Sequence, residues 1–183
     1  MEDIIPSEED IVQDMDAVDV IVSQWADERP DLDVSPMHVV GRIHRLAADL
    51  DQMLAPIFAA HGLGDGEFDV LATLRRAGDP YELSPGGLGA SMMVTSGAVT
   101  KRIDRLERAG LVTRRVSEHD ARARLIRLTA AGLRLVNTAI AEHVANESRL
   151  LAGLDNNERN TLVALLRKLG TSIERAGPPD MRS

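Results

Sequence analysis

The chain has 183 residues, 44% apolar and 27% charged, a balance that supports one generous folding unit with a buried core rather than disorder. It has no cysteine, which removes disulfides, thiolate metal sites and thiol nucleophiles or sensors; it has no long apolar run and an acidic start, so no membrane span or secretory signal is expected and the cytoplasm is the simplest location. The net charge of -8 hides an uneven distribution: residues 1–33 carry twelve acids against Arg29 alone, whereas residues 95–128 carry nine bases against four acids.

In chain order, Val18, Ile21, Val22 and Trp25 follow the spacing of one helix face, and Pro30 ends that helix. Ser35-Pro36 reads as an N-cap with proline at the first helical position, opening a long helix striped by Val39, Ile43, Leu46, Leu50, Leu54, Ile57 and Phe58, with Pro56 a candidate kink. The segment from His61 to Gly64 breaks it. Phe68, Leu71, Ala72 and Leu74 then mark a short helix closed by Gly78 and Pro80. Ser84-Pro85 opens a two-turn helix with Leu88 and Met92 inward. Thr95 or Ser96 caps a further helix in which Val99, Ile103 and Leu106 face inward and Gly110 is the stop. Residues 111–116 and 124–128 are β-prone runs joined by the polar loop 117–123. Thr129 caps a helix striped by Leu133, Val136, Ile140 and Val144, and Asp155 opens a last one bearing Leu162, Leu165, Leu166, Leu169 and Ile173. Gly177-Pro178-Pro179 ends the ordered chain.

Helix, tight connection, helix and β-hairpin is the order of a winged helix-turn-helix, whose second helix enters the DNA major groove while the hairpin reaches a neighbouring groove or the backbone. The fold expected is mainly α with a small β-wing: a winged helix-turn-helix lobe plus an N- and C-terminal helical region whose surplus apolar surface calls for dimerisation. Thr95, Ser96, Gly97 and Thr100 are small and polar where a backbone must approach phosphates and base edges. Lys101 and Arg105 add phosphate neutralisation. Arg122 stands at the wing tip, where a long cation suits a narrow minor groove, and Asp120 could tether it. A basic segment of this kind lets an acidic protein bind phosphate; a solvated, salt-bridged face is its other reading, favoured for Arg108 and Arg115.

At these residues the sequence resembles the MarR family of transcriptional regulators. The resemblance lies in the run from Thr100 to Arg114, in Asp120-Ala121-Arg122 and in Leu128-Thr129-Ala130-Ala131-Gly132, and extends over residues 35–176; Ala121 departs from the basic residue many members carry. It implies a cytoplasmic, DNA-binding homodimer on a pseudo-palindromic operator, a repressor released by a small effector. The chain is accordingly read as an acidic extension open to disorder over residues 1–14, a single MarR-like domain over residues 15–176 and a tail over residues 177–183. Within the domain, 15–62 and 129–176 would be dimerisation helices and 63–128 the DNA-binding lobe.

The extra first helix with Trp25 to Asp33, followed by Glu67-Phe68-Asp69-Val70-Leu71, is similar to the urate-responsive subgroup of that family. The similarity implies an effector site made by Trp25, Asp69, Arg102 and Arg114, where two guanidinium forks hold a planar anion and the indole packs on it. Urate or another small anion or phenol would be the ligand. Spacing alone gives other readings: Trp25 as a core residue of its own stripe, and Asp69 with Arg102 as a structural ion pair.

An enzyme is not expected, since no glycine-rich phosphate loop, nucleophile elbow or metal-binding HExxH motif occurs. His38, His44, His61, His119 and His143 never stand four apart, so no metal or other cofactor is called for, a site shared across a dimer interface aside. The alternative function is a helical dimeric protein-interaction module whose basic wing binds an acidic partner.

Overall fold

The computed structural model describes residues 15–92, 96–116 and 124–177. They form two compact units that divide between Gly64 and Asp65.

The first unit holds α1 (Ala17–Glu28) and α2 (Met37–Ala60). Asp16 caps α1, its carboxylate accepting from the Val18 and Asp19 amides while the Asp19 side chain accepts from the Asp16 amide, so two donors that a helix start leaves orphaned are satisfied reciprocally. The contact between the helices is narrow. Val18 and Val22 are buried, with Val34 beside them. Gly41 permits the approach, because a Cβ there would stand 3.1 Å from Val18 Cγ1. Ile21 and Trp25 fall off this two-residue seam, and Trp25 is 47% exposed, so the core position that spacing suggested for it is not the one it takes within the chain. The capping expected at Ser35-Pro36 also differs. Pro36, not Ser35, is the cap residue and makes no side-chain cap bond. The turn is organised upstream instead, by Asp33 accepting from the Ser35 amide at 3.0 Å and by Met37 donating to the Val34 carbonyl at 3.0 Å. α2 continues through Pro56 to Ala60.

Arg42 ties the two helices together: Nε donates to Asp16 Oδ2 at 2.8 Å, Nη2 to Asp19 Oδ2 at 2.6 Å and Nη1 to the His38 carbonyl at 3.0 Å. The hydrogen bond from Arg42, then that from the Asp16 amide, hold the Asp19 carboxyl below the usual carboxylate range. A carboxyl whose pKa is lowered by folding stabilises fully above its ordinary value and loses that contribution as pH falls through the lowered one. Acidification below about pH 4 and the substitution Arg42→Ala are therefore both expected to loosen α1. Trp25, the only tryptophan, lies on α1 and reports the change. A Trp25 emission spectrum unchanged by either would show that the Arg42 contacts do not hold α1.

The second unit contains α3 (Asp65–Arg76), β1 (Glu82–Leu83), α4 (Pro85–Met92), α5 (Ser96–Arg108), β2 (Val112–Val116), β3 (Arg124–Leu128), α6 (Ala130–Leu150) and α7 (Asn156–Ala176). Its core is Val70, Leu71 and Leu74 of α3, Leu88 of α4, Val99, Ile103 and Leu106 of α5, Ile126 of β3 and Val136 and Ala139 of α6. α3 touches α4, α5 and α6 and so occupies the centre. Among the described residues no helix is long and apolar enough to cross a membrane.

The sheet is antiparallel in the order β1-β3-β2, with Val112 opposite Leu128, Val116 opposite Arg124 and Glu82 opposite Arg127. The expected two-stranded hairpin thus has a third, two-residue strand, too short to leave a pattern in sequence. The start of α4 follows it directly, capped by Ser84 Oγ accepting from the Gly87 amide at 3.0 Å. α5 ends in a Schellman arrangement: Leu111 donates to the Leu106 carbonyl and Gly110 to that of Glu107, with Gly110 at φ 71°, a region that side-chain-bearing residues avoid. Thr129 then joins three elements. Its hydroxyl donates to the Gly110 carbonyl at 2.8 Å and accepts from the Gly132 amide at 3.0 Å, and its own amide donates to the Leu111 carbonyl at 3.0 Å. Gly132 is buried, and a Cβ on it would overlap the Leu111 carbonyl oxygen.

α7 begins with a second capping box, Asp155 with Glu158. Arg159 donates to the carbonyls of Leu154 at 3.0 Å and Leu151 at 2.6 Å, fixing the turn that joins α6 to α7. No residue of α7 is buried, although Leu162, Val163, Leu165, Leu166 and Ile173 lie along it.

Candidate nucleic-acid interface

α5 has one face in the core and one in solvent. Val99, Ile103 and Leu106 are each 1% exposed, and Gly97, Thr100, Lys101, Arg105 and Arg108 are exposed. At about 1.5 Å per residue, the exposed row runs roughly 17 Å, close to what a helix lying in a major groove presents. The backbone of Ser96 opens the helix; Thr95, Asp120 and Arg122 lie outside the described residues, as does the rest of the loop between β2 and β3.

The charges on this surface are not equivalent. Arg105 reaches back to α3, donating from Nη1 to Glu67 Oε1 at 3.1 Å, while its side chain stays 63% exposed. Glu67 is 9% exposed and was not singled out from sequence, because a lone acid in the first turn of a helix has no distinguishing pattern. Arg108 donates to the carbonyl of Asp104, and Arg115 pairs with Glu82 at 3.5 Å.

The effector residues expected from sequence fall into separate settings. Trp25 is on α1 in the first unit. Asp69 and Arg102 come together across α3 and α5, with Arg102 Nη1 4.0 Å from Asp69 Oδ2. Arg102 Nη1 is buried without a hydrogen bond. Its guanidinium lies over the first turn of α3, where the missing side chain of Gly66 leaves room for it. Arg114 is engaged elsewhere, donating through its guanidinium to Asp104 and Glu107 and through its amide to Glu107 Oε1 at 3.2 Å. These bonds, that to Asp104 foremost, raise the Arg114 pKa. They lock β2 to the helix that precedes it.

A cavity of about 380 Å³ opens beside Asp69 between α3, α4 and α6, lined by Phe68, Ala72, Arg76, Met92, Ile140 and His143 among others. The His143 ring is tilted against Phe68 with centroids 5.3 Å apart, and its Nε2 is 3.1 Å from Glu147. Sequence reasoning missed this cavity because its walls come from three elements whose spacing in the chain carries no shared motif.

The fold and the exposed α5 face define a winged helix-turn-helix protein. The family model described as MarR family matches residues 61–123. The HTH-type transcriptional regulator PecS of Dickeya dadantii is 43% identical over 149 residues, 81% of this chain and 90% of that protein. The HTH-type transcriptional repressor YetL of Bacillus subtilis is 26% identical over 81% of this chain and 88% of its own length. Among solved structures, a MarR-family regulator of Streptomyces coelicolor superposes with a TM-score of 0.66 at 26% identity, over 76% of this chain and 96% of that one. A variant of E. coli MarR complexed with operator DNA gives 0.64 at 26% identity, over 79% and 96%. The chain belongs to the MarR family of transcriptional regulators, and its relatives are regulators rather than enzymes.

Proposed function

We propose that this chain is a cytoplasmic repressor that binds a pseudo-palindromic operator as a homodimer and is released by a small anionic or aromatic effector. The observation that carries the reading is the two-faced α5, anchored by Val99, Ile103 and Leu106 and open along Gly97, Thr100, Lys101 and Arg105. Placed in the major groove, that face brings small polar groups to base edges and cations to phosphates. Thr95 and Ser96 extend it at the helix start, and the wing loop adds Asp120 and Arg122 at the backbone or minor groove. Residues 63–128 act as the DNA-binding lobe and residues 15–62 and 129–176 as the dimerisation helices. The apolar row left on α7 supports the homodimer, and two-fold symmetry then sets half-sites about one helical turn apart.

For the effector, the support is the state of Arg102. Its guanidinium makes a pairing of only 4.0 Å with Asp69 and no hydrogen bond from Nη1, so an anion can compete with that carboxylate for it. Because Arg102 belongs to the DNA-reading helix, differential ligand affinity for its two placements shifts the helix between binding and released positions. Trp25 and Arg114 complete the site in this reading, with urate, another small anion or a phenol as ligand; the resemblance of the first helix to the urate-responsive subgroup favours urate.

The test is a duplex selection followed by anisotropy titration across salt concentrations, with and without urate. Tight, salt-sensitive binding to one palindromic duplex is expected, relieved by urate; equal, weak binding to all duplexes would favour the protein-interaction reading. Arg122→Ala is expected to weaken binding and to flatten the logarithmic salt slope by about one per protomer. An unchanged slope would remove the wing from the phosphate contacts.

A further inference from the structure

We infer that Gly66 is a positioning residue for the effector response: its absent side chain is the seat in which the Arg102 guanidinium rests. The inference relies on the reading of Arg102 as an effector contact. Gly66 is the second residue of α3, and its backbone makes no demand for glycine, unlike Gly62, Gly78 and Gly110 with their positive φ. Glycine has a lower helix propensity than alanine, so what this position gains is space. A Cβ at Gly66 would overlap Cζ and Nε of Arg102 and stand 2.6 Å from Nη2.

The seat is an unusual one for a cation. A helix start carries partial positive charge, the Asp69 carboxylate is as far as 4.0 Å, and Nη1 has no hydrogen bond. Arg102 is thus held mainly by fit. Although Nη1 is buried, the Arg102 side chain keeps 27% of its surface exposed, so an anion that meets its open side has only the 4.0 Å pairing with Asp69 to displace, which is the property a responsive contact requires. The join between α3 and α5 does not depend on it, because Arg105 with Glu67 at 3.1 Å and the buried Val70 and Ile103 hold those helices independently. The obstacle that an alanine would meet is the far end of a flexible side chain. Gly66→Ala should therefore fold and eject the guanidinium.

The experiment compares the parent, Gly66→Ala and Arg102→Ala as full-length protein. One readout is the nuclear Overhauser contact between the Gly66 Hα protons and Arg102 Hε in the parent; the other is the urate concentration that half-dissociates each variant from the operator, scaled to that variant's own operator affinity. Expected are a contact in the parent, and a urate requirement raised at least about tenfold in both variants, as loss of one charge-assisted hydrogen bond implies. Absence of the parent contact overturns the seat whatever the variants do. Release of Gly66→Ala at the parent concentration while Arg102→Ala resists overturns the role of Gly66 and leaves Arg102 as an effector contact. Release of Arg102→Ala at the parent concentration overturns the effector reading itself, and this inference with it.

Discussion

Gly132→Ala is expected to lower the melting temperature by roughly 5 °C or more, through a net loss of about 2 kcal/mol. The substitution gains up to about 1 kcal/mol in helix propensity, but the new Cβ overlaps the Leu111 carbonyl oxygen and stands 2.9 Å from its carbonyl carbon. That carbonyl cannot turn aside, because it accepts from the Thr129 amide and hydroxyl. Either α6 moves away from the α5 stop or the Thr129 junction opens, and both uncover core. The contrast with Gly66→Ala is instructive: the same change is met there by a mobile side chain and here by fixed backbone. Thermal melts of the two variants side by side check it, and a Gly132→Ala protein as stable as the parent would mean that the close approach of Gly132 to Leu111 is not needed.

The second large effect is expected from placing two aspartates on α7. Leu165 is 59% and Ile173 63% exposed within one chain, on a helix with no buried residue. Covering an aliphatic side chain is worth about 1.5–3 kcal/mol, and burying an unpaired carboxylate in its place costs more than that. Leu165→Asp with Ile173→Asp should yield a folded monomer by sedimentation with near-parental helicity. Operator affinity should fall by about a hundredfold or more, since two tethered half-site contacts become independent ones. A variant that remains dimeric would exclude α7 from the subunit interface.

How much could be read in advance depended on whether the determinant was local. Most caps and stops were legible: Ser84, Thr129 and Asp155 accept where their residue types suggest, and Gly78 and Gly110 adopt the positive φ that ends a helix, whereas the cap expected at Ser35 fell on Pro36. The α5 stripe was legible too, because Val99, Ile103 and Leu106 repeat at helical spacing inside one element. Trp25 was not, since its stripe is wider than the Val18–Val22 seam that Gly41 permits, and a periodicity cannot report the width of the partner's groove. For the candidate site, the ion pair of Asp69 with Arg102 was an alternative available from sequence, but the seat at Gly66 and the buried Glu67 under Arg105 were not. Both depend on which side of α3 meets α5, a tertiary fact with no trace in spacing. Arg114 shows the same limit, its guanidinium being shared by Asp104 and Glu107, acids that charge counting had only set against the basic segment.

The two-residue strand β1 has a mechanical meaning. β3 is hydrogen-bonded on both sides, to β2 within the hairpin and to β1, and β1 runs through the Ser84 cap into α4. The hairpin therefore has no hinge of its own at its base. A displacement of the hairpin base would thus be carried through β1 and the Ser84 cap to the helix preceding α5, and under the proposed operator-binding role the wing and the reading helix would engage or leave DNA together.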